Sequence, residues 1–298
     1  MKDSDALKKV ESYTVPLMGA PVRLSDFVPG IFVSITSKKG IKKVIKNQLV
    51  RINGTIGYTG DYIRGGEIID LFQSEVEKKK PRIDLELAVF YEDEHLAIVY
   101  KPAGIIVSGN KKFTLENALT QNLIKSKVAD ALVYPQPIHR LDYPTSGLLL
   151  VGKTSMAVIA LNNMFAEKEI HKTYFAIAMG PMMNNKGKID MPIDDKASLT
   201  YYQVLERIES PKYQWFHLLR LDPKTGRRHQ IRKHLASIGN PILGDREYGV
   251  KGLILKGKGL YLHAAQLDFT HPITKEDISV KALPPKKFLT LFSESHFV

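Results

Sequence analysis

Pro137-Ile138-His139-Arg140-Leu141-Asp142-Tyr143-Pro144-Thr145-Ser146-Gly147-Leu148-Leu149-Leu150-Val151-Gly152 is the stretch from which the rest of the chain is read. Leu148 to Val151, an apolar run bounded by Gly147 and Gly152, predicts a buried strand. Tyr143 to Gly147 is turn-forming sequence. Asp142 is therefore held at the lip of a rigid strand, with His139 and Arg140 beside it in sequence. Loops carried on rigid scaffolds are where chemistry concentrates. An isolated Arg-x-Asp equally suits a turn cap or a local ion pair, because Asp bonds readily to nearby backbone.

Composition narrows the class. The 298 residues are 44% hydrophobic and 25% charged, ordinary for a globular chain that buries a core. The formal net charge is +12. An excess of this size favours a polyanionic partner, nucleic acid before an anionic membrane. The chain has no cysteine, which excludes disulfides, thiolate nucleophiles and cysteine-held zinc or iron–sulfur sites. No apolar run approaches the ~18 residues of a membrane span. Met1 to Asp5 is polar, unlike a signal peptide. A cytoplasmic protein is the expectation, with no membrane partner and a monomeric state.

Residues 1–22 are expected to be an arm or edge segment. Arg23 to Thr36 places Leu24, Phe27, Val28, Ile31, Phe32 and Ile35 at roughly helical spacing, interrupted by Pro29-Gly30. From Ser37 to Asn47 a helix is predicted, with Ser37 as its N-cap. Ile41, Val44 and Ile45 share one face; Lys38, Lys42 and Lys46 recur on another. No acidic residue lies between Asp26 and Asp61, and a one-sign face suits a phosphate backbone. Leu49 to Gly54 reads as a strand entering an Asn-Gly turn, and Gly65 to Leu71 as a turn into a closing strand. This pattern, over about residues 23–72, resembles the small α-L RNA-binding domain of a small-subunit ribosomal protein and of many RNA-modifying enzymes. Glu75 to Arg82 is charged and contains Pro81, so residues 75–84 read as a linker.

From Leu85 a second pattern begins. Leu87–Tyr91 and Leu96–Tyr100 flank Glu92-Asp93-Glu94-His95, a hairpin signal that closes in Lys101-Pro102-Ala103-Gly104. Thr114 to Lys125 and Ser155 to Lys168 are helical, the latter with Ala157, Leu161, Met164 and Phe165 inward. Glu169 to Gly180 is a strand on which Tyr174 shares a face with Ala176 and Ala178, leaving room over its ring. Trp215 to Leu221 is a strand. After a turn at Asp222-Pro223-Lys224-Thr225-Gly226 comes Arg227-Arg228-His229-Gln230-Ile231-Arg232-Lys233-His234-Leu235, with Ile231, Leu235 and Ile238 as an apolar helical stripe.

These blocks together resemble the RluA-type pseudouridine synthases. His139 to Gly147 is similar to their H-R-L-D-x-x-T-S-G signature, Tyr91 to Val107 to a Y-E-D…K-P-A-G-x-x-V block, Lys172 to Ala176 to K-x-Y-x-A, and Thr225 to Leu235 to T-G-R-x-H-Q-I-R-x-H-L. Gly244-Asp245-x-x-Tyr248-Gly249 and Leu262 to Pro272 continue the pattern, so the resemblance runs from about Leu85 to Leu283.

Competing chemistries fit the residues poorly. His229 and His234 are five apart, not the four that would put a zinc-binding pair on one helix face. Ser146 lacks a G-x-S-x-G context, since position 144 is proline. Gly147 to Thr154 matches G-x-x-x-x-G-K-[ST], but its four middle residues read as the strand, not as a phosphate-cradling loop. What remains is a carboxylate site without metal or cofactor, in which Asp142 needs a cation to stay ionised once substrate excludes water. Arg140 and Arg232 are both candidates from sequence.

The resemblance implies isomerisation of uridine to pseudouridine in RNA: the N1–C1′ bond breaks, the base turns over, and C5 bonds to C1′. It implies Asp142 as the essential carboxylate, by attack at C1′ or abstraction of the 2′ proton. Tyr174 would stack on the base and Arg232 would hold Asp142. Substrate contacts are expected from Arg140, Thr145, Lys172, Arg227, His229 and Gln230, with Lys38, Lys42 and Lys46 of the N-terminal unit on RNA. His234, His263 and His271 are expected to be structural. Ribosomal RNA of the large subunit is the expected substrate and transfer RNA the alternative. A silent RNA-binding or assembly factor and a nucleoside glycosidase are the competing classes. The fold expected is α+β: a mixed, largely antiparallel catalytic domain over residues 85–298, its cleft between two sheets, plus the small N-terminal α+β domain over residues 23–74.

Overall fold

The computed structural model describes residues 7–32, 35, 38–74, 81–255 and 257–297. The chain divides into two compact units, Met1–Lys80 and Pro81–Val298.

The small unit runs β1 (Leu7–Thr14), β2 (Val22–Arg23), α1 (Leu24–Phe27), α2 (Lys38–Lys46), β3 (Val50–Ile52), β4 (Thr55–Ile56), β5 (Tyr62–Ile63) and β6 (Ile68–Ser74). Its main sheet, among the described residues, has the order β1-β6-β3-β4. Residues 1–22, expected as an arm or edge segment, include an edge strand: β1 pairs along β6, with a bulge between Lys9 and Glu11. The helical spacing after Arg23 yields only the single turn of α1, because Pro29-Gly30, with Gly30 at φ +95°, cannot continue it. Ser37, the expected N-cap, lies outside the described residues, as do residues 75–80 of the expected linker. In α2, Ile41 and Ile45 are buried one turn apart against Leu24, Val50 and Ile69. Asn53 and Gly54 both take positive φ, the geometry of a two-residue hairpin between β3 and β4.

The large unit begins earlier than expected. Ile83 and Leu87 are buried in its core, and the Leu87 N–H is held by Asn122 Oδ1 at 2.8 Å. Its elements are β7 (Val89–Glu92), β8 (Leu96–Lys101), α3 (Leu115–Asn122), β9 (Ala131–Pro137), β10 (Ser146–Thr154), α4 (Ser155–Glu167), β11 (His171–Met179), β12 (Lys186–Ile189), β13 (Thr200–Ser210), β14 (Gln214–Pro223), α5 (Gln230–Ser237), β15 (Leu262–Thr270), β16 (Asp277–Lys281) and α6 (Lys286–Leu289).

Among the described residues the strands form one continuous sheet, β12-β13-β14-β11-β15-β10-β8-β7, with β16 beside β15 and β9 beside β10. The two sheets expected to flank the cleft are two halves of this single sheet. The halves meet where β10 and β15 run parallel for two residues, Ser146 against His263 and Gly147 against Ala264. Every other ladder is antiparallel. β10 is buried along its whole length, as its unbroken apolar run requires. The phosphate-loop match therefore falls on a strand. The junction demands a glycine: Gly147 has φ +125°, and a Cβ there would sit 2.1 Å from the Ala264 carbonyl oxygen. Of the predicted stripe on α5, Ile231 and Leu235 are buried, whereas Ile238 follows the helix and is 40% exposed.

Candidate active site

Asp142 lies four residues before β10, at the mouth of the junction. The turn that carries it is closed by Thr145 N–H on the Asp142 carbonyl at 3.1 Å. Lys101, the last residue of β8, is fully buried and grips this turn from below. Its ammonium donates to the carbonyl oxygens of Thr145 (2.7 Å), Pro102 (3.0 Å) and Tyr143 (3.4 Å). Burial pulls the Lys101 ammonium down to about 8, partly offset by the charge of Asp142.

The cation on Asp142 is Arg232, not its sequence neighbour Arg140. Arg232 sits in the first turn of α5, and its Nη1 is 3.5 Å from Asp142 Oδ2. Arg140 is exposed and makes no ion pair to Asp142 among the described residues. Arg232 is itself locked by Asp245, whose side chain is fully buried: Nε to Oδ2 is 2.7 Å and Nη2 to Oδ1 is 2.8 Å. Glu247 adds a third carboxylate at 3.2 Å, and the Tyr248 ring lies 4.9 Å beneath the guanidinium. Burial pushes the Asp245 carboxyl up, but Arg232 and the N–H groups of Glu247 and Tyr248 outweigh it and hold it below the usual range. The same ion pairs overcome burial at Arg232 and raise its pKa.

His229 occupies a left-handed position at the start of α5, φ 55°, which places its Nε2 3.7 Å from Asp142 Oδ1 and its Nδ1 2.9 Å from the Tyr248 hydroxyl. Tyr174, on β11, has its hydroxyl pKa raised by burial and then by the negative charge of Asp142, so the phenol is neutral.

Asp142 borders two cavities. The larger, about 1100 Å³, is lined by Arg140, Arg228, Arg246 and Lys258 among others. The smaller, about 400 Å³, brings Asp142 together with Arg140, Thr145, Lys172, Tyr174, Arg227, His229, Gln230 and Arg232. Thus the expected site residues of the large unit converge on one cavity. Thr145 is 2% exposed there and its hydroxyl has no hydrogen-bond partner among the described residues. The Gln230 amide is different. It accepts from Thr225 Oγ1 (2.6 Å) and Arg227 N–H (3.0 Å) and donates to the Leu199 carbonyl and Thr200 Oγ1 (3.0 Å each), so it clamps the turn before α5. Lys38, Lys42 and Lys46 lie on α2 of the small unit. Lys38 is already paired with Asp26 at 3.0 Å.

The remaining histidines are internal. His234 bonds Ser198, Thr200 and the Met191 carbonyl. His263 donates from Nε2 to the Ala282 carbonyl (3.0 Å) and accepts at Nδ1 from the Ser146 hydroxyl (3.1 Å). Both Ser146 and His263 are buried, and among the described residues no carboxylate completes a triad, so this pair ties β10 to β15. The His271 ring nitrogens face Asp93 and the N–H groups of Ile273 and Thr274.

Sequence reasoning assigned no role to Lys101, Asp245 or Glu247. Lys101 stood in the K-P-A-G block and Asp245 in G-D-x-x-Y-G, so the available signal was a charged residue beside a glycine turn.

The arrangement sets a carboxylate against an arginine, beside a half-buried neutral phenol and open space. It can attack an electrophilic carbon or remove a proton. Comparison with known proteins agrees with this chemistry. Residues 95–237 match the family model described as RNA pseudouridylate synthase. An uncharacterized RNA pseudouridine synthase from Aquifex aeolicus is 34% identical, with 98% of each chain covered. The ribosomal large subunit pseudouridine synthase D of Xanthomonas campestris is 31% identical, covering 86% of this chain and 84% of its own. The tRNA pseudouridine synthase C of Haemophilus ducreyi is 34% identical, covering 70% of this chain and 96% of its own. On these similarities and this fold, the chain belongs to the RNA pseudouridylate synthase family, of the RluA type, and is an enzyme that converts uridine to pseudouridine in RNA.

Proposed function

We propose that the substrate is large-subunit ribosomal RNA and that Asp142 is the essential carboxylate. The observation that carries the second point is the position of Asp142: on a cation-gripped turn, against Arg232, at the edge of the cavity that also holds Tyr174. The target uridine must leave its stack to reach it, at a cost of a few kcal/mol. Phosphate contacts by the basic chain offset that cost. Asp142 then either attacks C1′ or takes the 2′ proton. The N1–C1′ bond breaks, the freed uracil rotates over Tyr174, and C5 bonds to C1′ as Asp142 leaves C1′ or returns the 2′ proton; the C5 proton is then lost while N1 gains one. Arg232 holds the Asp142 carboxylate in place through its contact at 3.5 Å. Thr145, with its unpartnered buried hydroxyl, is a hydrogen-bonding group for the nucleotide, and Gln230 acts by holding the turn that presents Arg227 and His229.

The ribosomal assignment is supported by coverage. The relative named for the large ribosomal subunit aligns over 86% of this chain, against 70% for the one named for transfer RNA. Transfer RNA is the second reading, favoured by the latter's 34% identity. Site-resolved pseudouridine mapping of total RNA decides both, using cells lacking the gene and complemented with wild type or Asp142→Ala. One or a few large-subunit sites should vanish on deletion and return only with wild type. Sites returning with Asp142→Ala would remove the carboxylate from the mechanism, and loss confined to transfer RNA would reverse the substrate order.

A further inference from the structure

We propose that a second, basic groove on β12, β13 and β14, reached from the Asp142 cavity through Lys172, carries the RNA strand flanking the target uridine. The proposal rests on RNA being the substrate. The groove, about 640 Å³, is lined by Lys172, Lys186, Lys188, Tyr201, Tyr202 and Arg220 among others. A smaller depression of about 260 Å³, with Lys224 and Arg227 on its wall, shares His171 and Lys172 with the groove and Lys172 and Arg227 with the Asp142 cavity. Basic side chains therefore run without a break from the carboxylate to the far strands.

Strand register builds the groove floor. Lys186 is paired with Gln203 and Gln203 with Arg220, so the three stand in one row across three strands. The next row on the same face is Lys188, Tyr201 and Asp222. Tyr202 packs over Gly187, where a Cβ would come 2.7 Å from its hydroxyl, so the glycine makes room for the ring. Tyr201 is 43% exposed, with Lys224 Nζ 5.9 Å from its ring centroid, and its exposed surface can take a stacked base.

A solvated face would balance its charges locally. Here the cations outnumber the carboxylates on the groove wall, Lys172, Lys186, Lys188 and Arg220 against Asp222 and Asp268. Asp222 pairs with Lys224, and Asp268 accepts from Gln266 Nε2 (2.8 Å) and Ser279 Oγ (2.6 Å). Asp190 takes Lys188 at 3.1 Å. Lys172, Lys186 and Arg220 are left without an ion pair among the described residues. This net excess of cations beside an exposed tyrosine, in line with a site that must hold a flipped nucleotide, suits a phosphodiester strand with unstacked bases.

The test uses the full chain and an unmodified large-subunit ribosomal RNA transcript as probe, with affinity measured against salt concentration. Lys186→Glu/Arg220→Glu should bind about tenfold or more weakly at 0.1 M salt, with a slope shallower by roughly one to two units. Lys125→Glu/Lys212→Glu makes the same change in net charge at exposed lysines outside the groove, and it should stay within about twofold of wild type. If the two double variants bind alike, the groove is not an RNA path. Pseudouridine formed in the same transcript judges the other reading separately. Product with wild type but not Asp142→Ala, together with equal binding of the two doubles, removes the groove and keeps the synthase site. Selective weakening of the groove variant without product keeps the groove and removes this RNA as the substrate.

Discussion

One guanidinium faces three carboxylates, and their geometries predict different costs of removal. Asp245 is fully buried and holds Arg232 through two bonds under 3 Å, whereas Asp142 makes one contact at 3.5 Å and keeps 18% of its side-chain surface exposed. Deleting one partner of a buried pair strands the other charge and costs about 3–5 kcal/mol. A longer, part-exposed contact is worth about 1 kcal/mol or less. Asp245→Ala should therefore lower the urea midpoint strongly, while Asp142→Ala should leave it nearly unmoved and yet abolish product. Equal midpoints for the two variants would show that Asp245 is not the anchor of Arg232. This division was only half visible from sequence. The carboxylate was marked by the motif around it and Arg232 by the family resemblance, but the residues alone left Arg140 and Arg232 both open, because spacing does not show that α5 delivers its first turn to the lip of β10. Lys101 was hidden for a related reason: a lysine at a strand end reads as solvated, and only the sheet register shows it sealed under the turn it holds.

At the scale of elements, the junction of β10 and β15 is the constraint on which the site depends. Gly147→Ala would drive a Cβ into the Ala264 carbonyl from a φ that L-residues avoid, so a loss of several kcal/mol is expected. Gly226→Ala, with nothing within 4 Å of its added carbon, should change stability by less than about 1 kcal/mol in the same thermal melt. A similar effect of the two would mean that the strands can separate at no cost. The junction also has a pH signature. Burial holds His263 near 4, below its ordinary 6.5, with the Ala282 carbonyl opposing the shift. The folded state thus favours the neutral ring. Its contribution is complete above pH 6.5 and is lost as pH falls from 6.5 through 4, at about 1.4 kcal/mol per pH unit. His263→Gln should flatten the stability curve by one proton over that window, and parallel curves would exclude the assignment. Local patterns such as the 89–101 hairpin, the buried run of β10 and helix α4 were legible because period and turn chemistry agree there. The union of two half-sheets was not legible, since a two-residue parallel contact between strands more than 110 residues apart leaves no periodic trace. The helical spacing after Arg23 misled because Pro29-Gly30 outweighs it.

For the whole molecule, charge is distributed over both units. Residues 1–80 carry fourteen Lys and Arg against nine Asp and Glu, a net +5 of the chain's +12. RNA affinity is therefore expected to depend on both units, with the small unit contributing through α2. The cations of that helix are not equivalent. Lys38 already neutralises Asp26, and Lys42 also lowers the Asp26 pKa from a distance, whereas Lys46 stands at the end of the helix. A lysine that must give up an ion pair to reach a phosphate gains less from binding than one that need not. Releasing a counterion contributes about 0.7–0.9 to the salt slope per phosphate neutralised. In the full chain, Lys42→Ala/Lys46→Ala should make the slope shallower by more than one unit and weaken affinity for the ribosomal transcript. Lys38→Ala should have a smaller effect than either single substitution. Salt titration of binding separates these outcomes. An unchanged slope in the double variant would take α2 off the RNA, and an effect at Lys38 as large as at Lys46 would show that its pairing with Asp26 does not compete.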